Sequence, residues 1–162
     1  MVTLALDTVW QVLAGVPDPE LPGISITELA IVRDVQLNDD VVRVTVTPTY
    51  GGCPATDVIR EDIHAALIAA GAREVEISIT LTPAWSTDWL SDDTKAKLKR
   101  HGIAPPGKLA PGVKPITFRP RIRCPRCDSM RTEEISAFGA TACKALHRCL
   151  ACLEPFEYFK PI

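Results

Sequence analysis

Two pairs of cysteines near the C-terminus constrain the fold of this chain more than any other feature. Two residues separate Cys124 from Cys127, and two separate Cys149 from Cys152, in the pattern C-x2-C-x21-C-x2-C. Each C-x-x-C turn aims two sulfurs at one point, and two turns together form a tetrahedral thiolate site. A segment of about forty residues buries too little apolar surface to fold alone, so a metal is expected to complete it. We predict a zinc-ribbon module over residues 121–162, with these four thiolates as structural zinc ligands.

Other interpretations of the cysteines remain at this stage. Iron in a four-cysteine site is the main alternative, because geometry does not separate it from zinc, and two redox dithiols are a third. Cys143 lies six residues before Cys149, about 20 Å along a strand, so we expect it outside the site, buried or facing a partner. His147 lies two residues from Cys149 and is a weaker candidate ligand.

Composition and charge exclude several classes of protein. The chain has 162 residues, of which 46% are apolar and 23% charged, as in soluble globular proteins. It lacks an apolar run of about 20 residues and a secretion signal, so we expect a cytoplasmic protein without a membrane span. Residues 119–162 carry eight Lys and Arg against five Asp and Glu. This positive charge is compatible with nucleic-acid contact by the tail but is weak evidence for it, and a solvated surface is its more frequent meaning, so we do not expect nucleic acid as a partner.

A proline-rich segment predicts the domain boundary. Residues 103–120 contain five prolines and two glycines, which excludes a continuous helix or a central strand. We therefore predict an N-terminal domain over residues 1–102, a linker over 103–120, and the ribbon after it.

The N-terminal domain is predicted to be α+β. Apolar periodicity indicates a helix, a hairpin of two strands, a second helix and a third strand. This α-β-β-α-β order predicts a three-stranded sheet with both helices on one face. The third strand is expected to be half-buried through four alternating apolar residues: Val75, Ile77, Ile79 and Leu81.

A tryptophan-rich segment and a short helix follow the third strand. Trp85 and Trp89 are expected to form a hydrophobic clamp rather than a binding platform. Ser91 is a suitable N-cap for a basic helix that ends near His101.

The stretch from Thr47 to Pro54 is expected to contain the functional site of the N-terminal domain. It joins a strand to a helix, and Pro54 suits the first turn of that helix. Cys53 should therefore lie at or next to the N-cap, where free N–H groups and the helix dipole favour a thiolate. Gly51 and Gly52 leave the approach free of side chains. The alternative is a buried cysteine that fills a strand–helix corner.

A second loop carries two carboxylates. Residues 16–22 include three prolines, so Asp18 and Glu20 lie on a stiff, non-helical connection. Turn capping is the alternative role for both. Neither this loop nor the Cys53 loop contains a histidine, which counts against a thiol-dependent enzyme.

These motifs together resemble a known family. The Asp18–Glu20 motif, the strand at Ile31–Val35 and the Thr47–Pro54 stretch resemble the iron–sulfur cluster assembly domain. The Trp85–Trp89 segment and the four-cysteine ribbon narrow the resemblance to the PaaD-type proteins of bacterial phenylacetate degradation. The resemblance covers nearly the whole chain, and the order and spacing of its short motifs are specific.

The resemblance implies an accessory protein, not an enzyme with turnover of its own. Such a protein would mature or support a multicomponent phenylacetyl-CoA oxygenase, with the oxygenase or its iron–sulfur reductase subunit as client. The family's reactive cysteine corresponds to Cys53 and its acidic pair to Asp18 and Glu20. One thiolate and two carboxylates are too few for a permanent cluster, which favours transient iron or cluster binding, or a site shared in a homodimer. A structural or nucleic-acid-binding ribbon adaptor and a thiol-dependent enzyme are the alternative functions.

Overall fold

The computed structural model describes residues 4–39, 41–108 and 121–162. The chain divides into two compact units, Met1–Trp85 and Ser86–Ile162, each with its own sheet. Most of the predicted linker, residues 109–120, lies outside the described residues.

The first unit is an α+β fold with a three-stranded sheet. Its elements are α1 (Leu6–Ala14), β1 (Val32–Asn38), β2 (Val41–Val46), α2 (Ala55–Ala69) and β3 (Glu74–Ile79). The strand order is β1-β2-β3, with β2 antiparallel to β1 and parallel to β3. Helix α1 contacts β1 and α2, and α2 contacts β3, so the helices share one face of the sheet. The predicted fold class is confirmed.

Alternation along β2 separates the core from the open face of the sheet. Val42 and Val44 are fully buried under the helices, whereas Arg43 between them is exposed and forms an ion pair with Glu76 of β3. A four-residue spacing on α2 supplies the facing layer, because such residues lie on one side of a helix. The buried residues of this layer are Ala55, Ile59, Ile63 and Leu67.

Strand β3 is less buried than its alternating pattern predicts. Val75 and Ile77 are half-buried, but Ile79 and Leu81 are exposed. The reason is that β3 is an edge strand, which pairs only with β2 among the described residues, and Leu81 lies beyond its end.

The second unit combines a short helix with a four-stranded sheet. Its elements are α3 (Asp92–Arg100), β4 (Ile103–Ala104), β5 (Thr132–Ser136), β6 (Lys144–Cys149) and β7 (Pro155–Phe159). The strand order is β4-β7-β6-β5, with β4 parallel to β7 and the other pairs antiparallel. Ser91 caps α3, since its hydroxyl accepts a hydrogen bond from the Thr94 N–H at 3.1 Å.

The division between the units differs from the predicted boundary at residue 102. Ile103 and Ala104 are buried and extend the ribbon sheet by pairing with β7. Helix α3 contacts β4, and Lys99 on this helix forms an ion pair with Asp128 at 2.6 Å. The segment after Trp85 therefore packs with the ribbon, although the proline signal appears only after residue 104.

The two tryptophans belong to different units. Trp85 is buried in the first unit, where its indole N–H donates to the Leu29 carbonyl at 2.8 Å. Trp89 is half-buried in the second unit. Trp85 thus has a structural role in the first unit, whereas a clamp formed by both tryptophans stays a prediction.

Candidate functional site

Three loops of the first unit lie at one end of its strands, the edge of the sheet where β2 and β3 finish. Strand β1 is antiparallel to β2, so the start of β1 lies beside the end of β2. Strand β3 is parallel to β2, so the two strands end on the same side of the sheet. The Thr47 N–H donates to the Ile31 carbonyl at 2.8 Å, and the Thr80 N–H to the Val46 carbonyl at 2.9 Å. The Ile31 N–H donates to the Ile26 carbonyl and the Ile26 N–H to the Val16 carbonyl, each at 3.0 Å, so the Asp18 loop lies toward the same edge as the Cys53 loop and the segment after β3.

Cys53 lies immediately before helix α2. Pro54 is the N-cap of this helix, and the Cys53 carbonyl accepts the Thr56 N–H at 3.1 Å. The Cys53 side chain is only 8% exposed, and no described residue forms a hydrogen bond or ion pair with its sulfur. This position next to the N-cap is the one that the sequence predicts.

The turn before Cys53 is open. Gly51 and Gly52 are both exposed, and a Cβ added to either would meet no atom within 4 Å. Gly52 has a φ of +81°, a left-handed conformation that other residues rarely adopt. The space directly around these two glycines is therefore free of other side chains, although Cys53 itself is buried.

Asp18 shapes its own loop. Its buried carboxylate accepts hydrogen bonds through Oδ1 from the Glu20 N–H at 2.8 Å and the Leu21 N–H at 2.9 Å. The Asp18 N–H in turn donates to the Ile24 carbonyl at 2.8 Å, which closes the loop. Turn capping, the alternative role considered for this residue, is thus present.

Glu20 is half-buried on the same loop. The shared sheet edge is compatible with a joint site for Asp18, Glu20 and Cys53. If the two residues act with Cys53, their Cβ atoms should lie within about 10 Å of its sulfur, and this distance stays a prediction.

Thr47 is a polar residue at this edge that the sequence pattern does not single out. It is 1% exposed, and its hydroxyl has no hydrogen-bond partner among the described residues. A buried hydroxyl without a partner carries an energetic cost. Alternation along β2 predicts that Thr47 lies on the same face as the half-buried Thr45. Its complete burial depends on the loops that surround it, which the sequence pattern does not show.

The four predicted cysteine ligands converge in the second unit. Their sulfur atoms all lie within 4.8 Å of one another. The Cys124–Cys152 and Cys127–Cys149 sulfur pairs are separated by 3.8 and 3.6 Å. A tetrahedral zinc site with Zn–S bonds of about 2.3 Å requires sulfurs about 3.8 Å apart, so this donor set fits zinc.

Backbone hydrogen bonds already favour a thiolate at one corner of the cluster. The Cys152 N–H, at 3.5 Å from the Cys149 sulfur, lowers the pKa of this thiol most, and with the Ala151 N–H it outweighs desolvation and brings the pKa to about 6. A backbone hydrogen bond from Ser129 lowers the pKa of Cys127. Desolvation and the neighbouring thiols outweigh this effect and raise the Cys127 pKa to about 12. Metal binding requires all four thiols to lose their protons.

The two other candidates in the ribbon lie outside this cluster. Cys143 is buried, and its sulfur is 3.0 Å from the Thr141 hydroxyl. The His147 ring packs against Phe156 and Tyr158, with centroid distances of 5.7 and 5.6 Å. Burial lowers the pKa of His147, which is consistent with a neutral core residue.

Comparison with known proteins identifies both units. The family described as "Iron-sulfur cluster assembly protein" matches residues 6–79, and the family described as "PaaD zinc beta ribbon domain" matches residues 110–160. A domain of unknown function from Bacillus anthracis, solved by crystallography, is 30% identical with a TM-score of 0.53, over 57% of this chain and 89% of its own. The two units thus define an iron–sulfur assembly domain joined to a zinc ribbon.

One relative extends over nearly the whole chain. A protein of Escherichia coli K12, named as a putative 1,2-phenylacetyl-CoA epoxidase subunit, is 44% identical over 155 residues, covering 95% of this chain and 92% of the relative. A "Fe-S protein maturation auxiliary factor" from Porphyromonas gingivalis is 33% identical over 90 residues, or 54% of this chain and 85% of its own. The chain belongs to the PaaD family of iron–sulfur assembly proteins, which confirms the resemblance. None of its described helices has the length and apolar character of a membrane span.

Proposed function

We propose that this protein is an accessory factor that assists assembly of an iron or iron–sulfur centre in a client protein. The proposed client is a phenylacetyl-CoA oxygenase or its iron–sulfur reductase subunit. The names of the relatives support this class of function, because they are called auxiliary factors or subunits. The observation that carries the proposal is Cys53, which follows the open Gly51–Gly52 turn and lies immediately before helix α2, and whose sulfur has no hydrogen-bond partner among the described residues.

Cys53 is the proposed contact for the transferred species. A thiolate at a helix N-terminus is stabilised by the first N–H groups of the helix and is a good ligand for iron. One thiolate with two nearby carboxylates binds an iron species weakly in comparison with the four ligands of a resident cluster. Weak binding suits transfer, and Asp18 and Glu20 would supply the oxygen ligands or orient the client.

The zinc ribbon is proposed to stabilise the second unit and to dock the client. Cys124, Cys127, Cys149 and Cys152 would hold one zinc ion, which supplies folding free energy to this unit. All four ligand positions are cysteine, so no position stays open for chemistry. Zinc in the ribbon and the reactive thiol of the first unit thus serve different purposes.

The structure favours this role over a thiol-dependent enzyme. A catalytic thiol needs a base within hydrogen-bond reach, and no described residue provides one to Cys53. His64 is the single histidine of the first unit, and it lies nine residues beyond the start of α2 at Ala55. At 1.5 Å per residue this is about 13 Å along the helix axis.

Co-expression with the oxygenase components tests the proposal. We expect Cys53→Ser to lower the iron content and activity of the purified oxygenase at least severalfold. Cys143→Ser is the matched control, because it removes a buried thiol of the second unit outside the zinc cluster. A fully loaded, fully active oxygenase made alongside Cys53→Ser would overturn the proposal.

A further inference from the structure

The two C-x-x-C turns of the ribbon have matching backbone geometry and different outer residues. Asp128 follows Cys127 with a φ of +60°, and Leu153 follows Cys152 with a φ of +64°. Asp128 is held in place, since its carboxylate pairs with Lys99 and its carbonyl accepts the Arg123 guanidinium. Aspartate tolerates this left-handed conformation, so the identity of Asp128 and its two contacts account for the backbone of the first turn.

Leu153 is unfavourable at the equivalent position of the second turn. A left-handed conformation is energetically unfavourable for a residue with a bulky side chain such as leucine. Its side chain is nevertheless 71% exposed, so burial within the ribbon does not compensate for this cost. Glycine or asparagine would be more stable at this position. We therefore infer that the leucine side chain serves a contact outside the ribbon.

Leu153 belongs to a small apolar surface with arginines beside it. Leu150 of the same turn is exposed, and its N–H donates to the Arg131 carbonyl at 2.7 Å. Glu154 follows Leu153, and its carboxylate is 3.7 Å from the guanidinium of Arg126 on the facing turn. We define the knuckle surface as Leu150 and Leu153 together with two exposed arginines near this turn: Arg126, whose guanidinium pairs with Glu154, and Arg131, whose carbonyl accepts the Leu150 N–H.

Charge indicates what this surface binds. Residues 86–162 carry fourteen Lys and Arg against eight Asp and Glu, whereas residues 1–85 carry four against twelve. An arginine-bordered apolar pair on a basic unit is complementary to an apolar socket with acidic residues around it.

We propose that the knuckle surface docks the client protein through such an acidic, apolar-lined socket. This inference rests on the proposed function, because it assigns a contact site for the same client. A protein is favoured over nucleic acid because leucine has no favourable contact with phosphates, while exposed apolar clusters typically mark protein-binding sites.

The test is the affinity of the full-length, zinc-loaded protein for the purified oxygenase and, separately, for its purified reductase component. Leu153→Asn should weaken binding at least about tenfold, because apolar anchor residues dominate such contacts. It should keep one zinc per chain and leave the thermal midpoint unchanged or higher, since asparagine accepts the left-handed backbone. Arg131→Glu provides a second variant that leaves the backbone and the apolar pair intact, and it should also weaken binding.

Phe138→Ser is the matched control. Phe138 is 66% exposed in the same unit, beyond the end of the β5–β6 pair opposite the cysteine turns. This variant should bind as the wild type does.

Four outcomes would overturn the inference. Wild-type affinity in Leu153→Asn and Arg131→Glu would refute the knuckle surface while the proposed function stands. No binding of the wild type to either component would refute the knuckle surface as a docking site, and co-expression of Cys53→Ser would then decide the proposed function separately. Association removed by nuclease would indicate nucleic acid instead, and a wild-type dimer that dissociates in Leu153→Asn without any client would indicate a second copy.

Discussion

Substitution of Asp18 separates its structural role from its proposed role at the site. Its Oδ1 atom accepts two backbone N–H groups, those of Glu20 and Leu21. Asp18→Ala removes both hydrogen bonds and leaves the buried Leu21 N–H without an acceptor, whereas the half-buried Glu20 N–H can reach water. Asp18→Asn keeps an oxygen acceptor in the same place and removes only the charge.

The magnitudes follow from these contacts. An unsatisfied buried N–H costs about 1–3 kcal/mol, and the lost second hydrogen bond about 1 kcal/mol more, so Asp18→Ala should lower the free energy of unfolding by about 2–4 kcal/mol. For a unit of this size, each 1 kcal/mol corresponds to roughly 4–8 °C in thermal midpoint. Asp18→Asn should cost only about 1 kcal/mol, because neutral hydrogen bonds replace charge-assisted ones.

Thermal unfolding measures the structural role of Asp18, and co-expression with the oxygenase measures its proposed role at the site. Hydrogen exchange over residues 15–31 should localise the destabilisation in Asp18→Ala to this loop. If the charge acts beside Cys53, Asp18→Asn should remain folded and yet lower the iron content of the client severalfold. A fully loaded client made with Asp18→Asn would show that turn capping is the whole role, and a stable Asp18→Ala would refute the hydrogen-bond reasoning.

Three further predictions concern other parts of the chain. Cys124→Ser should abolish zinc binding and unfold residues 121–162, while Cys143→Ser should keep about one zinc per chain by elemental analysis; a folded, zinc-free ribbon would contradict this. Thr47→Val removes a buried hydroxyl without a described partner at nearly constant volume, so denaturant unfolding should show a gain of about 1 kcal/mol, and a loss would reveal a partner for that hydroxyl. The hydrogen bond from Lys99 lowers the pKa of the Asp128 carboxyl, so this pair stabilises the fold above the unfolded-state pKa and is lost as pH falls through the lowered value. Lys99→Gln should raise the Asp128 pKa in an NMR titration, and an unchanged pKa would contradict the assignment.

Features that depend on neighbouring residues follow from the sequence by itself. The C-x-x-C turns require only four residues each, and the alternation along β2 and the position of Pro54 before α2 are equally local. Each of these patterns restricts backbone conformation or side-chain direction within one element. The element order, the fold class and the location of Cys53 next to a helix start were therefore predictable.

Tertiary structure alone decided the division into units. Ile103 and Ala104 pair with Glu157 and Tyr158, more than fifty residues later in the chain. No local pattern encodes such a partner, because sheet pairing depends on which distant strand offers a free edge. The proline-rich segment consequently predicts a boundary at residue 102, whereas the two compact units divide after Trp85.

The chemistry at the two candidate surfaces also depends on tertiary contacts. The sequence shows Asp18 in a stiff loop, but only the strand register brings that loop to the sheet edge that holds Cys53. The burial of the Thr47 hydroxyl and the exposure of Leu153 in a left-handed turn likewise have no sequence signature. Burial is a property of everything that packs around a side chain, so residue identities and spacing determine the elements, and their assembly determines which of those residues are free to act.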